Sequence, residues 1–563
     1  MKHFFNSLTK TLAVFLSVGL CVTCSDTWDD HYSPNSSVPE YTILELMSLD
    51  EECQNFIKVL QTTKVMNGDK VADKTYAELL GGDQFLTVWA QLNNSLTEDE
   101  WRPLMKENKT AEENTEVARK FLNNHISRYK YPNDGMSKNV VMMSTKHYIM
   151  TGKDIHGAVI DASNIPATNG IMHTLSTSLN YNPSIYEYLT TTPEYCEDSL
   201  SLGKFLARYT TKELDLEKSI SAGYYNENDE LVYADSVMVE KSVILDQFGY
   251  INCEDSTYYM IISTGDAWIK AYDEAKDRFV FNNEGEGDSL QILRTQKGLL
   301  TDAVFNMNPQ MQPKYNAEQG MKMVSTTYDY KGDADAPVHY HIYKDPFGDE
   351  SQFEFIDKIQ CSNGVIYVCE EWPFQKSYTY EAPVIIEGES DNLTTSTQGL
   401  TKSVVTMTSF TKNDITYYLS RKQFRRINGK GAWDVSFRME NVLSGWNEFY
   451  FVVAPGNITP DQAGKKVKKN QMKLVVSYPD ETGKIVKYSM KDEKGKDMKY
   501  ENDVEKLDTI YGGVINIPNS SFEQQSSGIS VTVSQVATAS TYSKEVFLDC
   551  IIVKPTTAPA TEN

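Results

Sequence analysis

Two histidines one residue apart are the side chains in this sequence whose spacing best suits metal binding. His339 and His341 would project from the same face of an extended strand, and paired imidazoles can bind zinc, copper or iron. Asp333, Asp335 or Asp345 could complete such a site. No third ligand stands at a spacing typical of a metal centre, so the pattern favours two solvent-facing histidines in a long insertion. We therefore predict no metal and no other cofactor.

Three common catalytic signatures are missing from the sequence. It contains no Gly-x-Ser-x-Gly elbow, no phosphate-binding loop and no His-Glu-x-x-His helix. Acidic pairs such as Glu370 and Glu371 are candidates for glycoside hydrolysis, but that reaction needs two carboxyl groups about 5–10 Å apart across a cleft. Neighbouring acids in a chain with 78 acidic residues do not indicate this geometry. We predict a protein that is not an enzyme.

Aromatic residues indicate ligand binding more strongly than the histidines or the acidic pairs indicate metal binding or catalysis. Phe, Trp and Tyr make up 11% of the chain, and sugars stack on flat aromatic rings. Trp372 stands among polar residues and proline, which favours an exposed loop. Trp433 has only apolar alternation partners, which favours the core. The candidate ligand-binding residues are Trp372, Phe374, Tyr378, Tyr380 and Trp446.

The charge of the chain excludes some partners. The formal net charge is −24, and it becomes −26 without residues 1–23, which carry Lys2 and Lys10 and no acidic residue. An acidic surface repels nucleic-acid phosphates and anionic lipid headgroups. We predict no nucleic-acid partner, and contact with a membrane only through a covalent lipid.

The first thirty residues resemble a bacterial lipoprotein signal. An apolar run over residues 12–22 follows two lysines, and it is much shorter than the ~20 residues that span a bilayer. Cleavage before Cys24 would leave a thiol for lipid attachment. Cys21 is the alternative, but Leu20 before it is bulkier than the small residue that signal peptidases accept. We predict Cys24 as the lipidation site.

The acidic stretch after Cys24 bears on localisation. Residues 25–30 resemble the segment that marks surface-exposed lipoproteins of Bacteroidetes-type bacteria. This resemblance implies a lipid anchor in the outer membrane and exposure on the cell surface. The alternative is an ordinary cleaved signal followed by a soluble periplasmic or secreted protein.

The elements that would position the candidate side chains follow one order twice along the chain. In the first copy, a helical pattern over residues 43–60 precedes a buried strand at 85–90. A helix then begins near Thr97, with Glu100 as its capping-box partner, and the copy closes on a hairpin at the Asn169–Gly170 turn.

The second copy repeats these elements with longer spacing. It has a strand at 258–262, a helix from Ala267, a middle helix at 299–305 and a closing hairpin at 355–368. The extra length predicts an insertion near residues 308–346.

The repeated order resembles two fasciclin-type domains in tandem. Residues 87–96 and 259–268 are similar to the first sequence box of that family, and 169–173 are similar to its closing box. His125 falls where the second box has a histidine. The resemblance implies that His125 and His173 are structural and tie a helix to a strand.

The last third of the chain has a different pattern. Apolar and polar residues alternate at 433–440 and 529–533, which is typical of half-buried strands. Further strands fit 449–453, 473–478 and 546–553. No long helical periodicity competes with them, so we predict a β-sandwich.

The predicted fold class is α+β, with two tandem fasciclin-like domains followed by a C-terminal all-β sandwich domain. The predicted segments are a signal peptide (1–23), a linker (24–39), fasciclin-like domain 1 (40–190), fasciclin-like domain 2 with its insertion (191–390), the sandwich (391–555) and a flexible tail (556–563).

This layout is similar to accessory surface lipoproteins of Sus-like nutrient importers. The resemblance implies capture of a glycan or another nutrient beside a TonB-dependent outer-membrane importer and its lipoprotein lid. The alternative is an adhesion or complex-assembly protein that makes protein–protein contacts through its fasciclin-like domains.

Overall fold

A computed structural model describes most of the chain after the linker. It covers residues 39–558 except 68–69, 215–219, 226–230, 236–237, 283–285, 313–321, 328–340, 399, 462–463, 465, 525–527 and 537–539. The predicted signal peptide, Cys24 and His339 lie outside the described residues. In the part that is described, no helix combines the length and the apolar character needed to cross a membrane.

The chain divides into two compact units, Met1–Tyr181 and Asn182–Asn563. The strands of the first unit are β1 Lys64–Asn67, β2 Lys70–Thr75, β3 Leu86–Gln91, β4 Ile126–Ser127, β5 Lys138–Val141, β6 His147–Met150, β7 Asp154–Ile155, β8 Ala158–Val159, β9 Ile165–Ala167 and β10 Gly170–Leu175. A four-stranded sheet of order β4-β3-β10-β9 forms its centre. The long central strands β3 and β10 are parallel, and both are buried along their whole length.

The helices of the first unit are α1 Ile43–Ser48, α2 Gln54–Thr62, α3 Tyr76–Leu80, α4 Glu98–Leu104, α5 Ala111–Glu116 and α6 Asn123–His125, with a π-helical segment at Val117–Leu122. Helices α1, α3, α4 and α5 each begin after a threonine whose side chain accepts a hydrogen bond from a backbone N–H that the helix leaves free. Thr97 and Glu100 form the predicted capping box of α4. The single helical pattern predicted over 43–60 is divided, because the Asp50 side chain accepts a hydrogen bond from Glu52 N and starts a new turn there.

The predicted Asn-Gly turn joins β9 to β10 and also fastens α1 to the sheet. Asn169 Oδ1 accepts a hydrogen bond from Ile43 N at 2.9 Å, and its Nδ2 donates to the carbonyl oxygens of Leu80 and Gly82, each at 2.7 Å. Gly170 has a φ of +155°, and a β-carbon there would lie 1.9 Å from the Leu86 carbonyl oxygen. Only glycine fits this close approach of the two strands.

The second unit contains a sheet of the same design. Its first strands are β11 Thr210–Leu214, β12 Ile220–Tyr225, β13 Leu231–Asp235, β14 Met238–Ser242, β15 Tyr258–Ser263, β16 Val304–Asn306, β17 Lys322–Met323, β18 Tyr343–Lys344, β19 Phe355–Cys361 and β20 Gly364–Cys369. The sheet order β16-β15-β20-β19 matches β4-β3-β10-β9, and the central pair is again parallel. The predicted repeat of elements is therefore confirmed.

Asn363 repeats the role of Asn169 in this second sheet. Its Oδ1 accepts a hydrogen bond from Ile185 N at 2.9 Å, and its Nδ2 donates to the carbonyl oxygens of Ile251 at 2.7 Å and Cys253 at 3.1 Å. A β-carbon on Gly364 would lie 1.9 Å from the Tyr258 carbonyl oxygen.

One predicted helix of the second copy is wrong in its position. The helices here are α7 Ile185–Thr191, α8 Pro193–Cys196, α9 Leu202–Arg208, α10 Leu245–Phe248, α11 Gly265–Ala275 and α12 Gly287–Leu300. The middle helix predicted at 299–305 thus ends at Leu300, because Asp302 has a φ of +70° and the following residues pair with β15 as strand β16. Helix α11 begins at Gly265, two residues before the predicted start at Ala267, with Thr264 as its N-cap.

The remaining strands form two large sheets and one separate hairpin. They are β21 Val384–Glu387, β22 Thr394–Gln398, β23 Thr401–Thr406, β24 Ser409–Lys412, β25 Ile415–Tyr418, β26 Gln423–Asn428, β27 Trp433–Arg438, β28 Gly445–Ala454, β29 Gln471–Pro479, β30 Ile485–Tyr488, β31 Tyr500–Glu501, β32 Asp508–Ile517, β33 Ser530–Gln535 and β34 Val546–Pro555. Sheet one has the order β23-β26-β34-β28-β32, with β21 also paired to β34, sheet two has the order β22-β27-β33-β29-β30, and β24 and β25 form the separate hairpin. Trp433 is 2% exposed in the apolar core that both sheets share, as predicted.

Within the second unit, helix α12 and the loop before it pack on the sandwich. Phe279 contacts Phe522 with ring centroids 5.1 Å apart. Glu523 forms ion pairs with both Arg294 and Lys297 of α12. The second α/β sheet and the sandwich therefore belong to one compact unit.

Candidate functional site

The best candidate binding surface is the outer face of sheet one, which we call the tyrosine face and which is centred on Tyr450 and Tyr511. Strand β28 alternates strictly near its start, with Phe449 and Phe451 buried inside and Glu448 and Tyr450 half-buried outside. This period of two follows from the pleat of the strand, which sends successive side chains to opposite faces. The outer face therefore carries ring and carboxylate groups in fixed positions.

A row of apolar and aromatic side chains crosses four neighbouring strands of this face. Tyr450 lies opposite Tyr511 of β32 on one side and Ile552 of β34 on the other, and Ile552 lies opposite Ile385 of β21. Tyr511 is 39% exposed and Ile385 41% exposed. With strands about 4.8 Å apart, the row is roughly 14 Å long. It can contact an extended ligand rather than a single small group.

The two tyrosine rings are held by contacts with each other and with an acid. Their centroids lie 5.4 Å apart with a tilt of 57°. The Tyr450 hydroxyl donates to Glu448 Oε2 at 2.9 Å. Partial burial, helped by Glu448, raises the pKa of both Tyr450 and Tyr511, so both phenols stay protonated at neutral pH. The face thus combines flat rings with hydroxyl and carboxylate groups that can bind a neutral polyhydroxylated chain.

One predicted ligand residue lies on this outer face, and the two tyrosines at its centre escaped prediction. Trp446 stands half-buried near the start of β28, opposite the exposed Asn516. The outward alternation of Trp446, Glu448 and Tyr450 is visible in the sequence and could have indicated Tyr450. Tyr511 could not be found this way, because only the pairing of β28 with β32 brings it beside Tyr450.

The other four predicted ligand residues lie in the segment that follows β20. Three of them line one cleft. The cleft has an empty volume of about 440 Å³, including the solvent at its mouth. Its apolar lining consists of Ala267, Ala271, Leu299, Trp372, Phe374 and Tyr380. Trp372 is half-buried, whereas Phe374 and Tyr380 are 6% and 7% exposed, so only the tryptophan offers much ring surface.

Tyr378, the fourth of these residues, does not line the cleft. It is 40% exposed and stacks on His341 with ring centroids 4.1 Å apart. His341 also contacts Tyr343 at 4.3 Å between centroids. Among the residues that the structure describes, no three side chains of histidine, cysteine, aspartate or glutamate are grouped to hold a metal ion.

The two histidines that align with the fasciclin-type boxes are both buried. The ring nitrogens of His125 lie 2.8 Å from the Phe121 carbonyl oxygen and 2.7 Å from Gln91 Oε1, and burial lowers the pKa of His125 to about 4. His173 stacks on Trp89 at 5.4 Å, and its Nε2 lies 3.0 Å from the Tyr131 carbonyl oxygen. His125 thus joins the end of the helical segment to strand β3, as the resemblance implied.

A pair of buried carboxyl groups lies elsewhere in sheet one. The Ser420 hydroxyl donates to Glu387 Oε1 at 2.7 Å, and Ser420 N donates to Asp549 Oδ1 at 3.1 Å. Burial raises the pKa of Glu387 to about 7 and the pKa of Asp549 to about 8. These acids therefore keep protons near neutral pH, because burial disfavours their ionised forms.

Comparison with known proteins gives structural neighbours only. No protein-family model and no curated protein sequence matches the chain. The neighbours include carbohydrate-binding modules and a fasciclin-type domain pair.

Three neighbours illustrate the range. The CBM22 tandem domain from Paenibacillus barcinonensis is 14% identical over 32% of this chain, at a TM-score of 0.21, and this chain spans 46% of its length. The FAS1 domain pair from the insect cell adhesion molecule Fasciclin I is 12% identical over 59% of this chain and 96% of its own, at a TM-score of 0.20. A CBM61 module in complex with beta-1,4-galactotriose is 10% identical over 31% of this chain and 90% of its own, at a TM-score of 0.16.

Proposed function

We propose that this protein is a non-enzymatic surface lipoprotein that captures glycans through the tyrosine face. The observation that carries the proposal is the row from Ile385 through Ile552 and Tyr450 to Tyr511, which is partly exposed across four strands. Sugars present apolar C–H faces and a rim of hydroxyls. The rings of Tyr450 and Tyr511 can pack against the C–H faces, and the Glu448 carboxylate can accept hydrogen bonds from the hydroxyls.

The proposed setting is the outer membrane, beside a TonB-dependent Sus-like importer and its lipoprotein lid. A lipid on Cys24 would hold the binding face close to the transporter, so weak contacts would suffice to raise the local ligand concentration. The N-terminal signal and the resemblance to accessory lipoproteins support this setting. We expect palmitate to label the wild type and the Cys21→Ser variant. The Cys24→Ser variant should not be labelled. Labelling that survives Cys24→Ser would refute the anchor.

Glycan capture is tested by affinity gel electrophoresis with soluble xylan, galactan, mannan and glucan. We expect at least one polysaccharide to retard the protein, and Tyr511→Ala to weaken this binding about tenfold, which corresponds to losing about 1.4 kcal/mol of ring contact. Tyr418→Ala is the matched control, because Tyr418 is 72% exposed on the separate β24–β25 hairpin.

Two outcomes would overturn the proposal. Equal retardation of Tyr511→Ala and the wild type would show that the tyrosine face is not the binding surface. Stable purification with a transporter, without affinity for any of the polysaccharides, would favour the adhesion or assembly function instead.

A further inference from the structure

The cleft beside Trp372 is built from three different segments of the second unit. Helix α11 supplies its floor through Ala267 and Ala271, which are four residues apart and so lie on one side of the helix. Their small side chains leave the space that larger residues would fill. Leu299 at the end of α12 and the aromatic residues after β20 close the sides.

Trp372 is held rigidly at the wall of this cleft. Its ring makes an edge contact with the buried Trp268 at 5.1 Å between centroids, and it contacts Phe374 at 5.4 Å. Trp268 is itself fixed, because its Nε1 donates to the Leu200 carbonyl oxygen at 2.9 Å. A ring that is already oriented loses little conformational entropy when it binds a ligand.

Two ion pairs lie at the rim of the cleft, and helix α11 supplies the cation of one and the anion of the other. Lys270 of α11 lies 3.0 Å from Glu371, and Glu274 of α11 lies 3.2 Å from Lys376. All four side chains line the cleft, and each is between 45% and 67% exposed. Each rim position therefore offers a donor and an acceptor side by side, with no net charge.

This chemistry restricts the class of ligand. An anion or a cation would meet a like charge at either end of the cleft, and a purely apolar ligand would cover charged groups without binding them. A sugar hydroxyl both donates and accepts, so it can contact an ammonium and a carboxylate together. The space that a ligand could fill is only about 100 Å³, below the ~300–1,000 Å³ of typical small-molecule sites, so the cleft suits part of one sugar ring and not a chain.

We infer that this cleft is a second carbohydrate site, which takes a single sugar unit against Trp372. The inference rests on the proposed glycan-binding function, but it concerns a different surface from the tyrosine face. A terminal or branching sugar of a captured glycan would enter the cleft while its chain lies elsewhere.

The test uses the full mature chain labelled with 5-fluorotryptophan, which gives one fluorine resonance for each of the 7 tryptophans. Trp372→Phe assigns the resonance of Trp372. We expect that resonance to shift on titration with at least one of the methyl glycosides of glucose, galactose, mannose and xylose. Ala271→Leu fills the floor while keeping Trp372, and it should weaken this binding at least tenfold.

The controls separate this site from the tyrosine face. Tyr378→Ala, which alters an aromatic residue outside the cleft, and Tyr511→Ala should both leave the shift unchanged. If no glycoside shifts the Trp372 resonance while Tyr511-dependent retardation by polysaccharide persists, the cleft inference is wrong and the proposed function stands. If that retardation is also absent, both fail. A shift that Ala271→Leu does not weaken would likewise overturn the inference.

Discussion

Replacing Asn169 or Asn363 by alanine should destabilise one compact unit and leave the other intact. Each asparagine side chain makes three hydrogen bonds, one to the first backbone N–H of a helix and two to carbonyl oxygens. Asn169 is 3% exposed and Asn363 fully buried, so water cannot easily replace the lost partners.

The magnitude follows from these contacts. A typical hydrogen bond contributes about 1 kcal/mol net, and a buried group left without a partner costs about 1–3 kcal/mol. Losing three bonds should therefore lower the free energy of unfolding by roughly 3–5 kcal/mol. This is a large fraction of the ~5–15 kcal/mol that stabilises a typical domain.

Urea unfolding monitored by circular dichroism and by limited proteolysis is the assay. We expect Asn169→Ala to destabilise only the unit Met1–Tyr181, and Asn363→Ala to destabilise only the unit Asn182–Asn563. Asn516→Ala is the control, because this asparagine is exposed on β32. A free energy of unfolding within about 0.5 kcal/mol of the wild type in either buried variant, a change usual for neutral surface substitutions, would refute the stabilising role of these hydrogen bonds.

Three further predictions concern the second unit. Burial raises the pKa of Glu387 to about 7 and of Asp549 to about 8, so between pH 4 and pH 8 the folded chain holds protons on these two acids that the unfolded chain releases. Their contribution to the free energy of unfolding should therefore fall as the pH rises from 4 to 8, and urea unfolding across that range should show a smaller fall in the double variant Glu387→Gln, Asp549→Asn than in the wild type. Gly364→Ala should lower stability by more than about 3 kcal/mol in the same assay, since its β-carbon would meet a strand carbonyl at 1.9 Å, whereas Gly431→Ala has open space and should have little effect. Glu523→Gln leaves the two cations of α12 without their carboxylate, so the free energy of unfolding should fall by about 2 kcal/mol. Proteolysis between α12 and the sandwich should become faster, and unchanged proteolysis would refute the role of Glu523 in joining them.

The order of elements was readable from the sequence because local chemistry sets it. The Asn-Gly turns allow the tight reversals that begin β10 and β20, and Thr97 with Glu100 starts α4 where the capping box predicts. Strict alternation placed Trp433 in the core of the sandwich. The strand β16 was missed, because the apolar run around Phe305 suits a buried helix or a buried strand equally well, and only pairing with β15 decides between them.

The candidate sites were partly predictable for a related reason. The cluster after β20 was visible as a run of aromatic residues, and three of its members do line one cleft. Sequence alone could not show that Phe374 and Tyr380 are largely buried or that Tyr378 turns towards His341. The row of side chains on the tyrosine face could not be assembled from the sequence, because its members come from four strands that only the pairing of the sheet brings together.

The parallel pairing of β3 with β10, and of β15 with β20, has a consequence for biogenesis. In each sheet the last long strand to be synthesised occupies a central position beside the first. A polypeptide that emerges from a ribosome or a translocation channel by its amino-terminal end cannot close such a sheet until nearly the whole module has appeared. Non-local pairing of this kind folds slowly, so the nascent polypeptide stays unfolded and threadable for longer.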